Sequence, residues 1–257
     1  MNYQGRVSPG TAQGDPSPIE TPTLSIVIPA FNEAEGLSHL YQHLGSSLSE
    51  TAVSWEVLFV DDGSKDKTWN EICRLCEADG RVRGLRLSRN FGHQSALLAG
   101  LAHARGDAVI SMDADMQHPP ELIPALVDAW QKGAKIVKTV RIDPEDLSWF
   151  KRVTSNGYYR LFSFLSGVEI KEGMADFRLM DRQVLDNLLQ FKEEGLFLRG
   201  MVQWMGYPSV EIPFECGPRF AGTTKYSLRK MLRLAWHGVS SFSLVPLRVA
   251  IMTGLVS

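Results

Sequence analysis

The stretch Leu24-Ser25-Ile26-Val27-Ile28-Pro29-Ala30-Phe31-Asn32-Glu33 decides the fold of this chain. A short apolar run without regular polar alternation is typical of a strand buried on both faces, and this one ends in a turn and an acid. Similar runs follow at Trp55–Val60, Val82–Leu87, Ala108–Met112 and Lys135–Val140, and amphipathic stretches separate them at Ala34–Leu48, Lys67–Ala78, Gln94–Ala104 and Pro120–Gln131. This alternation predicts an α/β fold, a mainly parallel sheet with helices on both faces.

The pattern is less regular after residue 145. It predicts helices around Trp149–Leu165, Arg182–Leu189 and Leu196–Trp204, and strands at Phe177–Met180 and Val210–Phe214. With 257 residues, 44% of them hydrophobic, the chain is long enough to bury the core of one globular unit.

The two ends differ in composition from this body. Residues 1–22 are rich in Gly and Pro and predict a disordered arm, and residues 23–226 form the main domain. From Cys216 onward there are six Lys or Arg residues and no acid, so residues 227–243 predict a basic amphipathic helix on an anionic membrane surface. An ordinary helix packed on the domain has the same apolar stripe. Residues 244–257 are expected to open a transmembrane segment that is cut short.

Charge and cysteine content exclude some classes of function. The net charge of −2 gives no reason to expect a nucleic-acid partner. Three cysteines and no secretory leader indicate a reducing compartment. Cys73 and Cys76 form a C-x-x-C inside a predicted helix, where packing is a better explanation than metal or redox chemistry.

Acidic residues follow three of the predicted strands. Glu33 follows the first strand, Asp61 and Asp62 the second, and Asp113 and Asp115 the fourth. Because the carboxyl ends of parallel strands border one crevice, these carboxylates are expected to converge. They would repel one another without a cation, and Mg²⁺ or Mn²⁺ prefers such oxygen ligands. Asp-rich strand ends can also be simple turns, which remains an alternative for Asp61 and Asp62 taken alone.

The segment Asp113-Ala114-Asp115-Met116-Gln117 has a further property. If it stays extended, Asp113, Asp115 and Gln117 fall on a common side, and all three side chains offer oxygen.

These motifs resemble those of family-two glycosyltransferases. The similar segments are Pro29-Ala30-Phe31-Asn32-Glu33, Asp61-Asp62-Gly63-Ser64, Arg89-Asn90-Phe91-Gly92, Asp113-Ala114-Asp115-Met116-Gln117-His118-Pro119-Pro120, Asp176-Phe177-Arg178-Leu179-Met180-Asp181-Arg182, Phe197-Leu198-Arg199-Gly200 and Arg219-Phe220-Ala221-Gly222-Thr223-Thr224-Lys225-Tyr226. More narrowly, they resemble the polyprenyl-phosphate sugar transferases, the group of dolichyl-phosphate mannosyltransferase and the bactoprenol glucosyltransferases. The resemblance runs from about Leu24 to the end and implies a glycosyltransferase-A type, Rossmann-like sheet.

The resemblance also implies roles for individual residues. Contacts to the nucleotide-sugar are implied for Pro29, Phe31, Glu33, Asp61, Asp62 and Asp113. The metal and diphosphate are implied for Asp113, Asp115 and Gln117, with Asp115 the most direct ligand. Binding of an acceptor phosphate is implied for Arg141, Arg152, Arg219 and Lys225, with Lys151 an alternative to Arg152. Asp115, Asp176 and Arg219 are the catalytic candidates.

Asp176 lies where hydroxyl-directed relatives have their general base. A phosphate-monoester acceptor is already nucleophilic at neutral pH, so Asp176 is expected to orient the site instead. His93 and His118 are expected to form local hydrogen bonds rather than to bind metal.

The expected function is inverting transfer of a hexose from a nucleotide diphosphate-sugar to a polyprenyl phosphate at the cytoplasmic face of the cell membrane. The resemblance favours UDP-glucose as donor. A hydroxyl acceptor in polysaccharide or glycolipid synthesis is the competing interpretation. A nucleotidyltransferase is disfavoured because no Gly-rich phosphate loop is present. A homo-oligomer is compatible with the sequence, which leaves the oligomeric state open.

Overall fold

The computed structural model describes residues 22–142, 174–191 and 198–215. The predicted N-terminal arm lies almost wholly outside these ranges, as do the predicted helix around Trp149–Leu165 and the two C-terminal segments at residues 227–257. Within the described ranges, none of the helices has both the length and the apolar character needed to cross a membrane.

Strands and helices alternate through the first half of the chain, as predicted. The strands are β1 (Leu24–Ala30), β2 (Trp55–Asp61), β3 (Val82–Arg86), β4 (Ala108–Ser111), β5 (Ile136–Ile142), β6 (Met174–Asp181) and β7 (Ser209–Glu215). The α-helices are α1 (Leu37–Ser49), α2 (Thr68–Ala78), α3 (His93–His103), α4 (Ile123–Gln131), α5 (Arg182–Leu189) and α6 (Leu198–Trp204).

The seven strands form one sheet in the order β3-β2-β1-β4-β6-β5-β7. All neighbouring pairs are parallel except those made by β6, which is antiparallel to both β4 and β5. The predicted mainly parallel sheet is therefore confirmed. Since β6 runs against the other strands, it begins at the edge where β1, β2 and β4 end. We call this edge the carboxyl edge.

Helices cover both faces of the sheet, which is why its strands are apolar on both sides. One face packs against α1, α2 and α4 through residues such as Leu40, Ile72 and Leu126. The other packs against α3, α5 and α6 through Leu97, Leu185 and Met201. A Cβ on Gly100 would lie 2.4 Å from Val27 Cγ1, so this glycine allows α3 to approach β1 closely.

Several element boundaries differ from the prediction. The predicted helix at Pro120–Gln131 is a 3-10 turn (Pro120–Leu122) followed by α4. Pro124 lacks an amide hydrogen and is tolerated only in a first helical turn, which is where this boundary places it. Helix α1 begins at Leu37 rather than Ala34, after a turn closed by the Gly36 amide on the Glu33 carbonyl at 3.1 Å.

The C-x-x-C pair lies on α2, and both thiols are free. Cys76 packs against the core, and burial raises its pKa to about 11. A thiol with such a pKa stays protonated at neutral pH, so the packing interpretation is supported over a redox one.

Candidate active site

The loops after β1 and β2 are joined by reciprocal hydrogen bonds at the carboxyl edge. The Asn32 amide donates to Ser64 Oγ at 2.9 Å, and the Lys65 amide donates to Asn32 Oδ1 at 2.9 Å. Asn32 has a φ of 56°, a left-handed conformation that asparagine tolerates better than most residues. The Glu33 amide in turn donates to Thr68 Oγ1 at 2.9 Å. These bonds fix the segment from Phe31 to Glu33, which is partly exposed there.

The two acids at the end of β2 are buried. Asp61 Oδ1 accepts the Ser64 amide at 2.9 Å, and Oδ2 lies 3.2 Å from Arg86 Nε. Asp62 accepts the amides of Phe91 and Gly92 at 2.8 and 2.9 Å, one on each oxygen. Burial raises the pKa of Asp62, although these amide hydrogen bonds oppose the shift. Both acids organise loops, and their contacts to a base or ribose stay a prediction.

Asp113, Asp115 and Gln117 were expected to share a common side only if the segment after β4 is extended. The structure shows that this segment is not extended. Met116 has a φ of 63°, and the Gln117 amide donates to Asp115 Oδ1 at 3.1 Å. A left-handed residue reverses the chain direction, so Asp113, Asp115 and Gln117 lie around a tight turn. Left-handed backbone at a non-glycine residue is strained and is concentrated at functional sites.

Asp113 has the features of a cation ligand. Its Oδ1 atom is buried without a hydrogen-bond partner, and Oδ2 lies 3.7 Å from His118 Nε2. Among the described residues, no group of three or more His, Cys, Asp or Glu side chains has the arrangement of a complete metal site. Mg²⁺-type sites, however, commonly use one or two carboxylates and complete their shell with substrate phosphates. The orphaned oxygen of Asp113, with the oxygen-bearing side chains of Asp115 and Gln117 on the same turn, suits a divalent ion of that kind, and their role as its ligands stays a prediction.

His118 forms the local hydrogen bond that was predicted. Its Nδ1 accepts the Asp113 amide at 3.0 Å, so the ring proton of the neutral form lies on Nε2 and faces Asp113 Oδ2. The ring also stacks on Phe177, with centroids 5.3 Å apart. His118 therefore shapes the turn that carries Asp113.

Asp176 is the most constrained carboxylate of the site. It lies near the start of β6, where Ser111 Oγ of β4 donates to its carbonyl at 2.6 Å, and its side chain is 3% exposed. Arg178 Nη2 donates to Oδ1 at 2.8 Å, while Arg199 donates through Nε to Oδ1 at 2.7 Å and through Nη2 to Oδ2 at 2.6 Å.

The charge state of Asp176 follows from these partners. Burial alone would raise its pKa, but Arg199, His93 and Arg178 outweigh burial and hold the pKa well below its usual range. Asp176 is thus ionised at neutral pH and already accepts several hydrogen bonds. A carboxylate whose pKa is held this low is weakly basic and therefore a poor general base.

His93, the first residue of α3, departs from the expectation of purely local bonding. Its Nε2 lies 3.4 Å from Asp113 Oδ1 and 3.6 Å from Asp176 Oδ2. Desolvation would lower its pKa, but the neighbouring carboxylates Asp176 and Asp113 outweigh this effect and raise the pKa. The structure therefore brings together Asp113, His93 and Asp176 from three separate elements.

Other predicted residues are placed less centrally or lie outside the described part of the chain. Pro29 is buried in β1, and Arg141 is exposed near the end of β5, in register with Phe214 of β7. Arg152, Arg219 and Lys225 lie outside the described residues. Arg178 and Arg199 were not among the predicted site residues. Both stand in the similar segments quoted above, but only their contacts with Asp176 assign them a place in the site.

Residues 25–189 match the profile of the family Glycosyl transferase family 2. The chain belongs to this family. It is 40% identical over 232 residues to the uncharacterized glycosyltransferase YkcC of Bacillus subtilis, covering 90% of this chain and 72% of the relative. It is 39% identical to the prophage bactoprenol glucosyl transferase homolog of Escherichia coli, over 91% of this chain and 76% of the relative.

A solved structure supports the fold. Glucosyl-3-phosphoglycerate synthase of Mycobacterium tuberculosis, in complex with Mn²⁺, UDP and glucosyl-3-phosphoglycerate, superposes with a TM-score of 0.53 at 19% identity. The match covers 83% of this chain and 76% of that chain. The predicted glycosyltransferase-A type fold is therefore confirmed. The family match and the relatives named as glycosyltransferases show that the protein is a glycosyltransferase.

Proposed function

We propose that this glycosyltransferase moves a hexose, with UDP-glucose as the preferred donor, onto a polyprenyl phosphate with inversion at the anomeric carbon. The observation that carries the proposal is the state of Asp176, which is ionised and held by Arg178 and Arg199. An acceptor that must lose a proton needs a base, whereas a phosphate monoester arrives already ionised. The constrained carboxylate therefore favours the phosphate acceptor over a hydroxyl.

The donor binds at the carboxyl edge in this proposal. Asp113, Asp115 and Gln117 hold a divalent cation, Mg²⁺ or Mn²⁺, together with the donor diphosphate. When bound, that cation neutralises the negative charge that develops on the departing nucleotide diphosphate. Pro29, Phe31, Glu33, Asp61 and Asp62 are assigned to the nucleotide, the buried Asp61 and Asp62 chiefly by shaping the loops around it. The bound Mn²⁺ and UDP of the mycobacterial synthase support this assignment.

The transfer step is a single displacement. An acceptor phosphate oxygen attacks the anomeric carbon, the bond from that carbon to the donor diphosphate oxygen breaks, and the nucleotide diphosphate leaves with the bonding electrons. No proton has to be removed from the acceptor. Arg141 lies near the end of β5, and Arg152, Arg219 and Lys225 are assigned with it to the acceptor phosphate, because guanidinium and ammonium groups bind phosphate strongly.

The lipid acceptor implies a place at the membrane. We assign the reaction to the cytoplasmic face, with residues 227–243 as the contact to anionic lipid. The relationship to proteins named bactoprenol glucosyl transferase supports this lipid class. Removal of residues 228–257 should abolish salt-sensitive co-sedimentation with anionic vesicles and leave nucleotide affinity intact. Unchanged vesicle binding by the truncated chain would refute the assignment.

An acceptor panel tests the function. The full chain is incubated with Mn²⁺ and a series of radiolabelled nucleotide-sugars, together with undecaprenyl phosphate, undecaprenol or a free oligosaccharide. We expect UDP-glucose to label undecaprenyl phosphate only, and the Asp115→Ala variant to label nothing. Comparable labelling of undecaprenol or the oligosaccharide would establish the hydroxyl-acceptor alternative instead. If another nucleotide-sugar labels undecaprenyl phosphate and UDP-glucose does not, that nucleotide-sugar is the donor and the UDP-glucose assignment is wrong.

A further inference from the structure

His93 stands between two carboxylates that belong to different parts of the sheet. Its Nε2 lies 3.4 Å from Asp113 Oδ1, after β4, and 3.6 Å from Asp176 Oδ2, on β6. Asp113 Oδ1 has no hydrogen-bond partner among the described residues, so His93 contacts it as a close polar neighbour and not through a formed hydrogen bond. Carboxylates that share one such neighbour repel each other unless a donor or cation lies close to both. His93 is that neighbour for Asp113 and Asp176.

Asp62 holds the loop that leads into His93. The Phe91 and Gly92 amides donate to the two oxygens of Asp62, which is 3% exposed. Gly92 has a φ of 98°, a conformation that glycine adopts without strain, and the next residue opens α3. Asp62 therefore fixes the two residues that immediately precede the imidazole.

Helix capping does not account for this arrangement. The N-cap of α3 is Gly92, which has no side chain, and the contacts of His93 reach β6 and the loop after β4. His118 illustrates the local alternative, because it accepts the amide of Asp113 only five residues away. The contacts of His93 cross the site instead.

We propose that His93 is a positioning residue that keeps the Asp113 carboxylate in place relative to Asp176, which Arg178 and Arg199 hold. We also propose that Asp62 contributes to this positioning by fixing the loop before His93. This inference rests on the proposed function in one respect: it takes Asp113 as part of the site for the donor diphosphate and its cation. Loss of the imidazole removes the group that lies 3.4 Å from Asp113 Oδ1 and 3.6 Å from Asp176 Oδ2. Asp113 then moves away, and the cation-dependent part of nucleotide binding weakens.

Two substitutions of His93 separate the N–H group from the bulk of the ring. Gln carries an amide N–H at about the reach of Nε2, whereas Leu has none. We expect His93→Leu to raise the Kd of UDP about tenfold in Mn²⁺ and to leave it unchanged in EDTA, as measured by titration calorimetry. His93→Gln should stay within about threefold of the parent chain. Equal affinities of the parent and Leu variants in Mn²⁺, or equal losses in the Leu and Gln variants, would overturn the proposal.

A matched control is available on α1. His43 has a side chain 43% exposed against 42% for His93, and its neighbour is the surface residue Glu121 at 3.8 Å. His43→Leu should leave the Kd of UDP unchanged in both buffers. The role of Asp62 is tested with Asp62→Asn, alone and combined with His93→Leu. If Asp62 acts through His93, the Kd of UDP for the double variant should be no higher than the higher Kd of the two single variants. A fully additive loss would contradict that step.

A second measurement needs no nucleotide. In the metal-free protein, the fall in Tm on combining His93→Leu with Asp113→Asn should be smaller than the two single falls together, because each change removes the same contact. Additive falls would overturn the proposal whichever nucleotide the protein binds. If these results hold while undecaprenyl phosphate is not glucosylated, only the proposed function fails.

Discussion

Arg199 holds Asp176 through two hydrogen bonds, from Nε to Oδ1 at 2.7 Å and from Nη2 to Oδ2 at 2.6 Å. This two-point contact ties α6 to the strand that runs against the rest of the sheet. Arg178, buried on the same strand, donates to the same carboxylate. One carboxylate thus accepts hydrogen bonds from two guanidinium groups and fixes α6 against β6.

Removing that acid should destabilise the fold. Asp176→Ala leaves Arg178 buried without the carboxylate, so we expect the free energy of unfolding to fall by about 3–5 kcal/mol in urea denaturation. Asp186→Ala on α5 is the control, because its carboxylate is 58% exposed and pairs loosely with Arg182 at 3.6 Å. Its effect should stay within about 0.5 kcal/mol. Equal midpoints for the two variants would contradict the structural role of Asp176.

Metal dependence should follow from the turn after β4. We expect EDTA to abolish sugar transfer and Mg²⁺ or Mn²⁺ to restore it, while Asp115→Ala lowers kcat by about 10²–10³-fold because leaving-group charge is no longer offset. Asp107→Ala is a control at the opposite end of β4, where the residue is exposed. Full turnover of Asp115→Ala in EDTA would show that this turn holds no catalytic cation.

Gly63 should resist substitution for two separable reasons. It has a φ of 68°, and a Cβ there would lie 2.4 Å from the Arg89 carbonyl carbon, which is backbone. Gly133 has a φ of 103° with open space around it, so Gly133→Ala introduces strain alone, about 1 kcal/mol. Gly63→Ala should cost clearly more in thermal unfolding and also impair transfer. Similar losses of thermal stability for the two variants would mean that the Arg89 backbone shifts to make room for the Cβ.

Asp79 should make stability depend on acid pH. Hydrogen bonds from Arg81 and Tyr41 lower its pKa to about 2 against burial, below the value near 3.9 of an unfolded chain. The carboxylate therefore stabilises the fold above about pH 4, and this contribution disappears as the pH falls through 2.

The corresponding test uses Asp79→Asn. Its deficit in unfolding free energy should be about 1 kcal/mol at pH 7, because Arg81 is 56% exposed and solvent screens the pair, and smaller at pH 3, as measured by urea denaturation at both values. Asp128→Asn on α4 provides the comparison, since Asp128 also pairs with a cation, Lys132, but is 61% exposed. Its deficit should be small at either pH. A deficit of Asp79→Asn that is constant with pH would exclude the linkage.

The sheet and its acidic edge could be predicted because both depend on local patterns. Apolar runs identify strands buried on two faces, and acids that directly follow such strands must meet at one edge once the strands are parallel. The acids Glu33, Asp61, Asp62, Asp113 and Asp115 were predicted to lie at this edge in this way. The same reasoning assigned Cys73 and Cys76 to a helix, where the structure has them.

The remaining features depend on contacts that a local pattern does not contain. The left-handed Met116 converts the expected extended segment into a turn, and a methionine carries no sign of that conformation. The direction of β6 depends on its partners, because a short apolar run reads the same for either orientation. The contacts of Asp176 with Arg199 and His93 join residues that are far apart in sequence.

The reversed direction of β6 has a consequence for protein engineering. Strand β5 ends, and β6 begins, at the carboxyl edge, so the connection between Ile142 and Met174 leaves and rejoins the sheet at the same edge. Arg152, which we assign to the acceptor phosphate, belongs to this connection. Exchanging residues 143–173 with those of a relative should therefore change acceptor preference and leave the parallel part of the sheet that carries Asp113 intact.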